Sequence, residues 1–487
     1  MTGGVVACGH EAVADAAAAV LRAGGNAFDA CVAAGFAGAV AEPGFTSLAG
    51  GGFLLAHTAG GDAVLFDFFV DTPGLGLPPG ERNLHFLPVN VRFVAADQVF
   101  HAGLGSVAVP GCLAGYLHVH DRLGRLPLAD VVEPAVALAR DGVVVDATHA
   151  EVLGLLEPIL VREPEARAIV APRGRILREG ERMTNVDLAD YLSTLARDVH
   201  ASFYEGDLAR ALDARMRGGD GLVTEEDLAA YAVVEREPLV VEYRGERILT
   251  NPPPSFGGEL IALALQLDEA TGDAPAWQSA DALVRNVEVM IEVDRRRHAN
   301  GATKGTTQMT VADDDGNVAS MTTSNGETSG DVIPGTGVLL NNMLGEDDLH
   351  PAGFHAGPPG LRVPSMMAPT IVRAPDGNVA LALGSGGSKR IRTAIAQVVM
   401  AVIGHGRAVG DAVEAPRAHW DGAVVQLEPG FPADAVAAVR ARWDVNEWPV
   451  RNLYFGGVHA VQPPGAGAGD PRRGGAVRVV GGGAPTQ

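Results

Sequence analysis

The stretch Lys304-Gly305-Thr306-Thr307-Gln308-Met309-Thr310-Val311-Ala312 decides how the rest of the chain is read. Thr307 to Ala312 alternates like a strand, Asp313-Asp-Asp-Gly-Asn317 is a strong hairpin turn, and Val318 to Thr323 runs back. Gly305 stands directly before the threonine that opens the first strand. A hydroxyl that attacks its own preceding carbonyl needs a peptide that bends freely, and glycine supplies one. Cleavage there makes Thr306 N-terminal. Its α-amine, titrating near neutrality, can then take the proton from its own hydroxyl, which an internal amide cannot do. One residue would supply both nucleophile and base. Taken alone, the string also suits a plain strand start.

Working outward, Ala368 to Ala374 and Val379 to Leu383 read as a second strand pair around Pro375-Asp-Gly377. Gly384-Ser-Gly-Gly-Ser388 follows, then an apolar run of helical spacing from Ile391 to Ile403. Acyl transfer needs paired backbone N–H donors for an oxyanion, and a glycine-rich helix start provides them with partial positive charge. Gly387 and Ser388 are the candidates, tight packing being the other reason for such a turn. Nearer the N-terminus, Glu11–Arg22 and Ala27–Ala41 read as helices, and Phe53–His57 with Asp62–Phe68 as a hairpin. Helical periodicity returns from about Val109 to Arg140, and residues 151–235 form a charged helical stretch suited to a lobe packed on the sheet. Strands followed by helices point to antiparallel sheets covered by helices, not to a doubly wound parallel sheet.

Composition removes several classes. The 487 residues carry 59 acids against 37 bases, a net charge of −22, which argues against a nucleic-acid partner because polyphosphate needs a cationic face. With 47% hydrophobic and 20% charged residues, the chain is globular and expected to form two lobes. Lys304 and Lys389 are the only lysines, and neither lies in a GxxxxGK[ST] string, so a phosphate loop or a pyridoxal Schiff base has few places to sit. No GxGxxG follows a strand, and no cofactor is expected. Cys8, Cys31 and Cys112 are too few and too dispersed for a disulfide framework or a CxxC metal site. They read as buried small hydrophobes in a reducing compartment. No basic segment precedes an apolar N-terminal core, and every apolar run is interrupted before about 18 residues, so no membrane association and a cytoplasmic location are expected. In Pro253-Pro-Ser255-Phe-Gly257 the prolines are incompatible with a nucleophile elbow. His118 and His120 read as ordinary histidines, their spacing of two suiting one face of a strand and not of a helix. The 63 glycines and 31 prolines fit closely approaching backbones as well as genomic bias.

With these residues in hand, the chain resembles the γ-glutamyltranspeptidase family of N-terminal nucleophile hydrolases over nearly its whole length. Matching segments include Gly24-Gly-Asn-Ala27 with Asp29-Ala30, Gly50-Gly-Gly-Phe53 and Val109-Pro-Gly111. Others are Phe203-Tyr-Glu-Gly206, Glu226-Asp-Leu228 with Tyr231, Pro252-Pro-Pro-Ser255 with Gly257-Gly258, Leu339-Leu-Asn-Asn342 and Asp470-Pro-Arg-Arg473. The resemblance implies an α+β fold, a four-layer αββα sandwich, made as a precursor and cut between Gly305 and Thr306. The products, residues 1–305 and 306–487, would be about 31 and 19 kDa of the 50.2 kDa total and would pair as a heterodimer. It further implies an acyl-enzyme at Thr306, formed from a small γ-glutamyl-like amide and released to water or an amine acceptor. An assisting hydroxyl would fall on Ser324 or Thr323, and the Gly387-Ser388 turn would take the oxyanion.

Departures from the family pattern limit the substrate. The arginine that grips the substrate α-carboxylate aligns with Phe69, and the two serines that help it align with Ser365 and Met366. The usual Thr-Thr-His is Thr306-Thr-Gln308. Asn325 and Asp348 stand where the amino-acid head is held, with Asp347 or Glu346 as substitutes. Replacing a charged bidentate partner by an aromatic removes an interaction worth several kcal/mol for a desolvated carboxylate. Ordinary glutathione is therefore not the expected substrate. Two other readings follow from the resemblance. One is carbon–carbon bond cleavage in building 4-alkyl-proline units of lincomycin- or pyrrolobenzodiazepine-type antibiotics, and the other is a non-catalytic binding protein that kept the fold. Retention of Thr306 and the oxyanion turn argues against the second.

Overall fold

Strands Thr307–Asp313 and Val318–Ser324 pair antiparallel with Thr307 opposite Thr323, and the turn between them is closed by Asp313, whose carboxylate accepts from Asn317 N–H and Nδ2. The computed structural model describes residues 2–78, 80, 83–92, 97–296, 306–350 and 353–481. The hairpin lies inside a seven-stranded sheet whose spatial order is Ala476–Val480, Gly4–Cys8, Thr307–Asp313, Val318–Ser324, Gly51–His57, Ala63–Phe68 and Val234–Arg236. A six-stranded sheet runs Ala466–Ala468, Gly457–Gln462, Val379–Gly386, Thr370–Arg373, Glu246–Thr250 and Leu239–Tyr243. Every pairing within these two sheets is antiparallel.

Alternation along the central strands decides the layers. Met309, Val311 and Met321 join the helices Glu11–Arg22 and Ala27–Ala41 in one core. Phe53, Leu55, Ala312 and Val318 fall in a second core with Ile371, Leu381 and Leu383 of the other sheet, whose outer face is covered by helices Gly257–Ala270 and Arg390–Val399. Helix, sheet, sheet and helix therefore stack as αββα. Burying each Leu, Ile or Phe side chain in these layers contributes ~1.5–3 kcal/mol relative to exposure. The Ala27–Ala41 helix is buried on nearly all sides, and its small residues let the sheet and neighbouring helices approach it. An Asn26–Asp29 capping box starts it.

Periodicity from Val109 to Arg140 resolves into two helices, Cys112–Leu123 and Leu128–Asp141, separated between Gly124 and Pro127. His118 and His120 thus sit on a helix, not a strand, bonded to Glu235 and to the Leu126 carbonyl. Residues 151–235 are largely helical, with a small core around Val152, Leu156, Ile169 and Met183, but Val234–Arg236 leaves this region to edge the first sheet. All three cysteines are buried and unbridged. Segments on both sides of position 306 supply strands to both sheets, so the two parts share their cores.

Candidate active site

Thr306 lies just ahead of its strand, fully buried, and its Oγ1 has no hydrogen-bond partner among the described residues. A buried hydroxyl left unbonded costs about 1–3 kcal/mol, so its place calls for a reason other than stability. Its carbonyl oxygen accepts from Arg473 Nη1 at 3.0 Å. Gly386 closes on the same carbonyl: a Cβ there would come within 2.2 Å of the Thr306 oxygen, so only glycine fits. Gly387 and Ser388 follow with φ of +118° and +59°, ahead of the Arg390–Val399 helix. Ser388 is a buried non-glycine residue in the left-handed region, a strain that clusters at functional turns. Turns of this kind gather successive backbone N–H groups into an anion-binding concavity. Gly305, on the other side of the expected scissile bond, lies outside the described residues.

Register separates the two candidate assisting hydroxyls. Continuing the Thr307–Thr323 pairing outward by one residue sets Ser324 beside Thr306, on the same face of the sheet. Thr323 points to the helical side, where its hydroxyl meets Thr46 Oγ1 at 2.9 Å. Asn325 continues from Ser324. Its Nδ2 donates to Leu340 O at 3.5 Å, while its Oδ1 is buried without a partner among the described residues. Asn342 and Glu346 stand across the same loop, where a Cβ on Gly326 would meet Asn342 Oδ1 at 2.0 Å and Glu346 Oε1 at 2.7 Å. Asp348 sits on the single turn Asp347–Leu349.

Phe69 is fully buried and stacked on Phe53 at 5.6 Å. Arg362 is turned to the backbone behind it: Nη1 donates to Phe69 O at 2.6 Å and to Tyr231 Oη at 3.0 Å, and the guanidinium faces Asp67 and Asp71. Burial pushes the Asp71 carboxyl up to about 6 despite that arginine. Ser365 and Met366 are buried, and the Ser365 hydroxyl accepts from Met367 N–H at 3.1 Å. Ser255 Oγ donates to the Ser365 and Met367 carbonyls, a structural use in keeping with its not being a nucleophile. Gln308 lies between the sheets, accepting from Thr322 Oγ1 at 2.5 Å and donating to Thr310 and Ser320.

In the sequence Arg473 carries one signal, its place in the Asp470-Pro-Arg-Arg473 block. Glu42, which accepts from Thr307 Oγ1 at 2.7 Å, carries none. A nearby group, His10, Asp146 and His149, brings potential ligand atoms within 4.8 Å of one another. His10 Nδ1 accepts from Ala12 N–H, however, which leaves the proton of its neutral ring on Nε2, a donor facing Asp146 Oδ2 at 3.7 Å. His149 Nδ1 meets Asp146 Oδ1 at 2.8 Å. Burial opposes charge on His149, but Asp146 and Glu42 outweigh it and push the imidazole up to about 9. The group is an ion-paired network, and its donors do not fit a metal.

An αββα sandwich with an unbonded threonine hydroxyl at the head of a central strand defines a class, the N-terminal nucleophile hydrolases. The γ-glutamyltranspeptidase family model matches residues 13–303 and 292–480, and the chain belongs to that family. It is similar to the acylase ACY 1 proenzyme of Pseudomonas sp. (strain SE83), 33% identical over an alignment covering 90% of this chain and 86% of that one. It is also similar to the glutathione hydrolase proenzyme of Escherichia coli (strain K12), 30% identical with 87% and 82% covered. The crystal structure of cephalosporin acylase from Bacillus halodurans superposes with a TM-score of 0.84 at 27% identity, covering 99% of this chain and 96% of that one. Among the described residues no helix is long and apolar enough to cross a membrane.

Proposed function

We propose that the protein is a self-processing amide acylase in which Thr306 is the nucleophile, cleaving a small γ-glutamyl-like or related acyl amide. The observation that carries this reading is the buried, unbonded Thr306 Oγ1 beside the Gly386–Ser388 turn. In the precursor the hydroxyl attacks the Gly305 carbonyl, the peptide shifts to an ester, and water releases residues 1–305 from a chain beginning at Thr306. In turnover the freed α-amine takes the hydroxyl proton as Oγ1 attacks the substrate carbonyl. Backbone N–H groups of Gly387 and Ser388 receive the oxyanion, a donor of this kind being worth ~10²–10³ in rate. Collapse expels the amine, which takes the proton from the α-ammonium, and water or an acceptor amine then resolves the ester. Ser324 assists from the neighbouring strand, while Asn325 and Asp348 hold the polar end of the acyl group. The processed chains stay paired as a heterodimer.

The stacked Phe69 and Phe53 put an apolar wall where the family has a cation, which favours acyl chains without a free α-carboxylate. N-terminal sequencing of the purified protein tests the first part: a smaller chain beginning at Thr306 is expected, and a single uncut 50.2 kDa chain in both wild type and Thr306→Ala would end the proposal. Anilides then test the second, with simple acyl anilides turned over faster than the γ-glutamyl anilide. Silence with every anilide, from a correctly cut protein, would favour the carbon–carbon cleavage reading that shares this threonine.

A further inference from the structure

Thr307 faces away from the reacting side of the sheet, yet its hydroxyl is not left to the core. It donates to Glu42 Oε2, and Glu42 is itself buried. That carboxylate stands at the C-terminal cap of the Ala27–Ala41 helix, where the helix dipole and burial both disfavour a negative charge. The helix end by itself thus gives no reason for a charge there. Its charge is balanced from one side: His149 Nε2 lies 3.8 Å from Glu42 Oε2, and Asp146 holds the far nitrogen of the same ring at 2.8 Å. The backbone closes over the pair at Gly9, where a Cβ would come within 2.8 Å of Glu42 Oε2 and 2.9 Å of Thr307 Oγ1. Threonine is stiff about χ1, so a charge-assisted bond to its hydroxyl also fixes the peptide on either side.

From this geometry we infer that Glu42, braced by His149, is a positioning residue for the nucleophile and acts through the Thr307 hydroxyl. The inference rests on Thr306 being the nucleophile, as proposed above. The placement of Thr306 matters twice, when its Oγ1 attacks the Gly305 carbonyl and again after the cut, when no peptide precedes it to hold it in line. Two clamps remain on the peptide that follows Thr306: Arg473 on its carbonyl and Glu42 on the next side chain. A misplacement of about 1 Å at a reacting atom can cost ~10²-fold in rate.

Self-cleavage needs no added substrate, so its rate can be followed in cell-free synthesis by the appearance of the chain beginning at Thr306. Thr307→Val, nearly isosteric, is expected to cleave at least tenfold more slowly at a Tm close to wild type, and Thr307→Ser to restore the rate. Glu42→Gln combined with Thr307→Val should be no slower than the slower single variant, because both break one contact. A folded Thr307→Val that cleaves at the wild-type rate overturns the inference, and so does a double variant whose losses multiply. Cleavage that survives Thr306→Ala overturns the nucleophile and its positioning pair together, whereas cleavage lost in Thr306→Ala but kept in Thr307→Val overturns the pair alone.

Discussion

Arg473 Nη1 donates to the carbonyl oxygen of Thr306 at 3.0 Å, tying the far end of the chain to the residue that opens the central strand. The guanidinium is buried over the ring of Phe45, 4.9 Å from its centroid. Burial, with Arg390 nearby, pulls its titration down to about 10, which still leaves it charged at neutral pH.

Removing that donor should therefore affect rate more than fold. Arg473→Met keeps the length and apolar contact but no hydrogen bond, and ~10²-fold slower turnover is expected from loss of alignment. Arg473→Lys should fall between, because an ammonium cannot reproduce the planar fork. Steady-state kinetics beside thermal melts check this. Wild-type turnover from a folded Arg473→Met would show that the contact is incidental.

The two candidate hydroxyls on the partner strand make a paired prediction. Ser324 shares a face with Thr306, so Ser324→Ala should lower kcat with little change in Tm. Thr323 bonds Thr46 in the helical layer, so Thr323→Val should cost about 1 kcal/mol of stability and leave kcat alone. Denaturant melts and kinetics on both variants decide it, and the reverse pattern would refute the register argument.

How much of this was legible beforehand depended on the range of the interaction. The Glu11–Arg22 and Ala27–Ala41 helices and the Thr307 hairpin follow from local periodicity and turn chemistry; the helix ends agree with the structure, and each hairpin strand runs one residue further, to Asp313 and to Ser324. The Gly384–Ser388 turn follows in the same way, although its first half is strand up to Gly386. Glu42 and Arg473 were hidden for one reason. Each reaches Thr306 or Thr307 across a sequence separation of 265 or 167 residues, and no spacing within a chain announces such a contact. The choice between Ser324 and Thr323 also needed register, since a shift of one residue exchanges the faces.

Phe69 gives a test of the pocket. Its ring is stacked on Phe53 in the interior, and the acids in reach, Asp67 and Asp71, already face Arg362. An arginine here would lie buried without a partner until a substrate carboxylate arrived. Phe69→Arg should thus lose about 3–5 kcal/mol of stability when empty. It should gain at least tenfold in kcat/KM for γ-glutamyl anilide over wild type. Melting curves with and without that compound, plus kinetics, check both parts. A folded variant without the gain would mean that Phe69 does not occupy the carboxylate position.

Two buried imidazoles set opposite limbs of the pH profile. His459 Nδ1 accepts from Asp470 N–H at 3.2 Å, and burial pulls the ring down to about 4. An unfolded histidine titrates near 6.5, so between about 4 and 6.5 the unfolded chain binds a proton that the fold does not. Stability rises with pH through that window and this cost is gone above it. His149 behaves in reverse: burial disfavours its charge, but Asp146 and Glu42 push it up to about 9. The fold then keeps a proton that the unfolded chain releases, so its contribution is complete below about 6.5 and is lost as pH rises through 9. Each limb is on the order of 3 kcal/mol. Melts from pH 4 to 10 should peak near neutrality, with His149→Gln flattening the alkaline limb and His459→Gln the acid one. An alkaline limb unchanged in His149→Gln would show that His149 is not held charged by Glu42 and Asp146.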